Sequence, residues 1–133
     1  MTGAELVLLT AAVCMVESSG QTHAINAKDG HTASYGECQV KLATARHLGY
    51  TGSVGQLWLD QDTNRYWAQE YLSYQLRRYR GNVRKAVSAY NCGSACNNTA
   101  YVEKVLKFYR RFQRDNQNSG QLQVGANSGR AGN

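Results

Sequence analysis

The chain has 133 residues, 42% of them apolar, and a formal net charge of +6. That length suits one domain with a real core, and the composition is ordinary for a soluble globular protein. The charge draws such a protein toward polyanions, whether nucleic acid, anionic membrane or the acidic polymers of a bacterial wall. No nucleic-acid-binding motif is present, and the densest basic runs, LRRYRGNVRK (76–85) and KFYRRFQR (107–114), read as solvated helix faces.

In chain order, the spacing of Leu6, Leu9, Val13 and Val16 predicts a helix over 3–18. Its apolar run, 6–16, is too short to span a bilayer. Glu5 stands before it and no basic segment precedes it, so it is a poor signal peptide and reads as a buried helix. Residues 19–37 are rich in Gly, Ser, Asn, Asp, Thr and His and are expected as a long loop, with at most a short β-hairpin inside it. VKLATARHLG (40–49) predicts a short helix closed by Gly49, and TGSVGQLW (51–58) a turn and a further helical piece. Asp60 to Tyr79 reads as a long helix with Trp67, Tyr71, Leu72, Leu76 and Tyr79 on one face. Asn82 to Asn91 is another helix, with Asn91 and Gly93 as its stop. Thr99 to Phe112 is the last, with Val102, Val105, Leu106 and Tyr109 inward. From there Gln, Asn, Ser and Gly dominate, so 1–113 is expected as the domain and 114–133 as a flexible polar tail. The fold class is mainly α.

Nine tyrosines and two tryptophans against two phenylalanines suit surfaces that are half buried and half wet, such as carbohydrate grooves. Trp58 and Trp67 are read as core packing. The four cysteines at 14, 38, 92 and 96 permit two disulfides in three pairings, a short Cys92–Cys96 bridge among them, or four buried thiols; the sequence leaves these open. The histidines at 23, 31 and 47 have no ligand spacing relative to the cysteines, so neither a metal nor another cofactor is expected. Glu17 stands where the apolar helix meets the polar loop. Partial desolvation there favours the neutral acid that a proton donor needs; the plain alternative is a solvated glutamate at a helix end.

Five short motifs in order then resemble one family. They are Val16-Glu17-Ser18-Ser19 with Ala24-Ile25-Asn26, Gly36-Glu37-Cys38-Gln39, Asp60-Gln61-Asp62-Thr63-Asn64, Ala89-Tyr90-Asn91-Cys92-Gly93, and Tyr101-Val102-Glu103-Lys104-Val105. Over about residues 5–112 the chain is similar to lytic transglycosylases of the goose-type lysozyme superfamily, nearest to small secretion-, pilus- or phage-associated enzymes. It departs from their pattern at Thr22 and Gln61, where proline is usual, and at Glu37 and Cys38, where an apolar pair is usual. Asn97 and Asn98 stand where many relatives carry an acid.

The resemblance implies a lysozyme-like α-helical domain that cleaves the β-1,4 bond between N-acetylmuramic acid and N-acetylglucosamine in peptidoglycan without water, leaving 1,6-anhydro ends. Glu17 would be the acid and then the base. Tyr90 would orient its carboxyl group through the phenol hydroxyl, and Asn91 would brace the turn and line the floor. Gln39 would bind substrate, and Tyr101 would touch Glu17 or the sugar. Ser18, Asp60 and Asn64 are expected as helix caps outside the site. The implied partner is the glycan strand, met by a monomer with no membrane span, in the periplasm or wall; a phage-encoded or virion setting fits too. A hydrolytic muramidase would need a second carboxylate, for which Asp29 and Glu37 lie in the right loop. A non-catalytic wall-binding virion component is the other reading.

Overall fold

A computed structural model describes the backbone of residues 1–29 and 32–131 and the side chains of 1–28 and 32–120. Among the described residues, six helices and a small sheet surround one core: α1 (Gly3–Ser18), β1 (Ile25–Asp29), β2 (Thr32–Tyr35), β3 (Val40–Lys41), α2 (Leu42–His47), α3 (Val54–Leu59), α4 (Gln61–Arg78), α5 (Val83–Cys92) and α6 (Thr99–Ala131). Helix α1 starts in a capping box, in which Thr2 Oγ1 accepts from the Glu5 N–H and Glu5 Oε1 accepts from the Thr2 N–H. It ends at Ser19, whose φ of 56° is left-handed. Leu9, Ala12, Val13 and Cys14 are fully buried, and α1 packs on α4 and α6 as the central helix. From α6, Val102, Val105, Leu106 and Tyr109 enter the core as the spacing predicts.

The expected loop over 19–37 contains the hairpin β1–β2, antiparallel with Ile25 opposite Tyr35 and Asn26 opposite Ser34. A third strand continues the sheet: β3 pairs with β2, placing Tyr35 opposite Val40. The helix expected from residue 40 therefore begins at Leu42. Two residues are too few to show a period of two, and the pairing that makes them a strand comes from elsewhere in the chain.

Asp60 caps α4 as expected, accepting from the Thr63 N–H at 3.0 Å. Asn64 does not cap it. Its side chain is wholly buried and joins three segments: Oδ1 accepts from the Cys38 N–H at 2.9 Å, while Nδ2 donates to the Tyr35 and Leu57 carbonyls at 2.8 and 2.9 Å. Gly36, at φ +78°, lies so close that any Cβ there would overlap this carboxamide. The inward stripe of α4 thus runs Asn64, Ala68, Leu72, Gln75, with two polar members, while Trp67, Tyr71 and Leu76 pack at its margin. Trp67 makes edge contacts with Tyr50 and Tyr66, and the Trp58 indole N–H donates to the His23 carbonyl at 2.9 Å.

Two disulfides form, Cys14–Cys38 and Cys92–Cys96. The first joins residues 24 apart and is fully buried at both ends; closing a loop of that size stabilises by about 3 kcal/mol in the chain-entropy picture. The polar segment expected as a flexible tail continues α6 as helical backbone to Ala131. Residues 132 and 133 lie outside the described residues. Extending an existing helix avoids the cost of nucleation, so weak helix formers can follow. From Arg114 to Gly120 every side chain is exposed.

Two stability outcomes are expected. Asn64→Ala strands one buried N–H and two carbonyls and should cost about 2–4 kcal/mol in urea unfolding. Gln117→Ala, at an exposed position, should change the unfolding free energy by less than about 0.5 kcal/mol, since surface changes away from packed contacts rarely exceed that.

Candidate active site

Glu17 lies in the last turn of α1, half-buried. Just beyond it, Ser18 Oγ donates back to the Cys14 carbonyl at 3.2 Å within the helix, and the C-cap is Ser19 rather than Ser18. Tyr101, in the first turn of α6, donates its hydroxyl to Glu17 Oε2 at 2.7 Å. Glu17 shares a cleft of about 190 Å³ with Gln39, Tyr90 and Asn91. The fold thus gathers all five expected residues: four line the cleft, and Tyr101 reaches the carboxyl group from α6.

Tyr90 is placed differently from expectation. It stands near the end of α5, and its hydroxyl donates to the Cys38 carbonyl at 2.7 Å rather than serving as the carboxyl's donor. It thereby holds the turn that carries Gln39. The ring packs against Tyr71 with centroids 5.1 Å apart, and Tyr71, expected as a core residue, lines the cleft as well. Gln39 itself has a φ of +53°, a conformation that costs a non-glycine residue roughly 1–2 kcal/mol. Its Nε2 donates back to the Gly36 carbonyl at 3.0 Å, which fixes the side chain over the turn. Asn91 lies within α5, and Gly93, at φ +86°, ends the helix by donating its N–H to the Ala89 carbonyl. Asn91 Oδ1 accepts from Asn98 Nδ2 at 3.1 Å, and Asn98 Oδ1 accepts from Ser88 Oγ at 2.6 Å. Asn98 therefore braces Asn91 at the cleft's edge.

Among the described residues, Glu17 is the sole carboxylate lining this cleft. Glu37 is buried in an ion pair with Arg65 at 2.5 Å and accepts from Gln61 Nε2 at 2.8 Å. It borders a separate groove beside Leu8, Met15 and Phe112. The side chain of Asp29 lies outside the described residues. Among the described residues no three His, Cys, Asp or Glu side chains gather as a metal site, and no helix is long and apolar enough to cross a membrane.

Sequence reasoning left Asn64, Asn98 and both cysteines of the buried disulfide out of the site. Gly36 and Asn64 each stand in one of the five motifs, and that shared status was the available sign that the two meet. The cysteines carried no comparable sign of pairing.

Burial pushes the Tyr90 and Tyr101 phenols up from the usual tyrosine range, and the negative charge of Glu17 pushes further. Both hydroxyls therefore remain protonated donors well above neutrality. The unfolded chain ionises its tyrosines near pH 10, about the ordinary value, while these two resist ionisation in the native state. Their contribution to stability is complete below about pH 10 and falls as pH rises beyond it. Absorbance titration at 295 nm should show two of the nine tyrosines ionising only with unfolding, and the melting temperature should drop above about pH 10.

Residues 4–107 match the profile of the Transglycosylase SLT domain family. The chain is 33% identical over 107 residues to "Uncharacterized 20.7 kDa protein in vs-regB intergenic region" of Enterobacteria phage T4. That alignment covers 74% of this chain and 58% of the phage protein, so the chain spans little more than half the length of its relative. No solved structure matches it significantly. With the family match running from the start of α1 into α6, over the helices and the small sheet that build the cleft, the chain belongs to the Transglycosylase SLT domain family and has its lysozyme-like, mainly α fold.

Proposed function

We propose that the chain is a lytic transglycosylase that cuts the bond between N-acetylmuramic acid and N-acetylglucosamine in peptidoglycan and leaves 1,6-anhydromuramic ends. The observation that carries this reading is Glu17 in a polar cleft with the Tyr101 hydroxyl on Oε2 at 2.7 Å. The Glu17 carboxyl group donates its proton to the glycosidic oxygen as the C1–O bond breaks, releasing the 4-hydroxyl of N-acetylglucosamine. The resulting carboxylate takes the proton of the C6 hydroxyl of the same muramic acid, whose oxygen closes onto C1. Tyr101 holds the plane of the carboxyl group and stabilises its charge between the two proton transfers. The nucleophile is part of the sugar, so one carboxylate serves both steps, and the intramolecular attack lowers the barrier by several kcal/mol, on the order of the entropy saved.

Gln39 and Asn91 offer amide groups to the sugar's N-acetyl and hydroxyl groups. Tyr90 acts through the Cys38 carbonyl, as a positioning residue for Gln39. The engagement of Glu37 with Arg65 and Gln61 favours this route over hydrolysis, which needs a second carboxylate beside a water. The charge of +6 keeps a monomer on an anionic wall. The phage relative supports a phage setting for that wall-directed work.

The test is mass spectrometry of soluble products from purified peptidoglycan, with and without borohydride. Anhydro-muropeptides, lighter by one water and resistant to reduction, are expected, and Glu17→Gln should lower the rate about 100- to 10,000-fold while remaining folded. Reducible ends would make the protein a muramidase, and no products from a folded protein would leave a wall-binding component. Tyr101→Phe should lower kcat about 10- to 100-fold with KM little changed, the loss expected for one hydrogen bond to a charged group.

A further inference from the structure

Cys38 is tied at every polar or reactive group it has, each time to a different helix. Its N–H donates to Asn64 Oδ1 on α4 at 2.9 Å. Its carbonyl accepts the Tyr90 hydroxyl from α5 at 2.7 Å. Its sulfur is bonded to Cys14 on α1, with the two Cα atoms 4.0 Å apart and both residues fully buried. Gln39, the next residue, is held at φ +53° in the cleft. Cys14 is three residues before Glu17, so the two side chains leave neighbouring turns of α1 on one side. The disulfide is therefore the tie that runs from the Gln39 turn to the helix carrying the acid. The hydrogen bonds set the turn against α4 and α5, and the sulfur bridge sets it against Glu17.

We propose that Cys38 is a redox-dependent positioning residue: the Cys14–Cys38 disulfide holds the Gln39 turn in register with Glu17, and its reduction lowers turnover. This rests on the transglycosylase reading above. In the step itself a dithiol reductant gives two electrons and two protons to the Sγ–Sγ bond. Cys14 and Cys38 become thiols, and the reductant becomes a disulfide. The reverse exchange, with an oxidised dithiol protein or a small-molecule disulfide as acceptor, restores the bond. Cytosolic reductants keep thiols reduced, whereas the compartment holding the bacterial wall is oxidising. The same bond then makes the site slow where the protein is synthesised and competent where its substrate lies.

The test compares the full chain with a Cys14→Ala/Cys38→Ala variant on purified sacculi, below both melting temperatures and with circular dichroism recorded on each. The oxidised wild type should turn over, and the variant should stay folded with kcat lower by about 10- to 100-fold, the loss expected for a displacement near 1 Å. Its KM should stay within about threefold, because the loss falls on positioning rather than on binding. Wild type whose Cys14 and Cys38 thiols are shown free by alkylation and mass spectrometry should match the variant and recover on reoxidation. A Cys92→Ala/Cys96→Ala variant should keep the sensitivity to reductant.

Three results overturn the proposal. One is reduced wild type that turns over as fast as oxidised. Another is a variant whose kcat falls only in proportion to its unfolded fraction. The third is unfolding of both the variant and the reduced protein, which would make the bond a staple of the fold alone. A folded, oxidised wild type without turnover would instead refute the transglycosylase reading.

Discussion

The carboxamide of Asn64 is the polar group on which the sheet side of the molecule depends. It lies at full burial and is bonded to β2, to the turn after it and to α3 at once. An unpaired amide in that place would cost more than most single contacts return, so the three segments must arrive together. Gly36 is the counterpart of this demand: the space where its side chain would be is filled by Asn64. Two motifs far apart in the chain, Gly-x-x-Gln and the one ending in Asn64, are thus two halves of one interaction. Its product is a turn rigid enough to hold Gln39 in a conformation it would not choose alone.

The departures from the family pattern make sense as pairs. Glu37 and Gln61, where the resemblance leads to an apolar residue and a proline being expected, meet at 2.8 Å through their side chains, with Arg65 completing the group. A buried carboxylate without such partners would be expensive. Cys38, where the other apolar residue is expected, is bonded to Cys14 as a disulfide inside the core. Asn98, which with Asn97 stands where the resemblance leads to an acid being expected, bonds Asn91 and Ser88 as a neutral amide. The carboxylate of Glu37 and the amides of Asn91 and Asn98 thus find polar partners, while the buried Nε of Arg65 has none.

Within the cleft, among the described residues, Glu17 and Lys41 are the charged side chains, and two phenols stand beside the acid. Tyr90 and Tyr101 are buried phenols that Glu17's charge makes still harder to ionise. One of them serves the acid directly and the other serves the backbone of the opposing turn. A donor that cannot ionise in the working range keeps its proton through both halves of the proposed reaction, so proton traffic is confined to Glu17 and the sugar.

The sequence by itself determined that there are helices and where most of them lie, though not where α2 starts or α6 ends. Those depend on local groups: Asp60 as a cap, Gly93 as a stop, and the spacing of Val102, Val105, Leu106 and Tyr109. It also singled out Glu17, Gln39, Tyr90, Asn91 and Tyr101, because short motifs in order survive even when their geometry is unknown. Only the tertiary structure decided which groups meet. That the Tyr90 hydroxyl takes the Cys38 carbonyl across 52 residues, that Tyr101 reaches Glu17 across 84, that Cys14 pairs with Cys38, and that β3 joins β2 are all consequences of packing. Local propensity acts over a few residues. A partner fixed by burial and the need to satisfy every polar group is set by the whole fold.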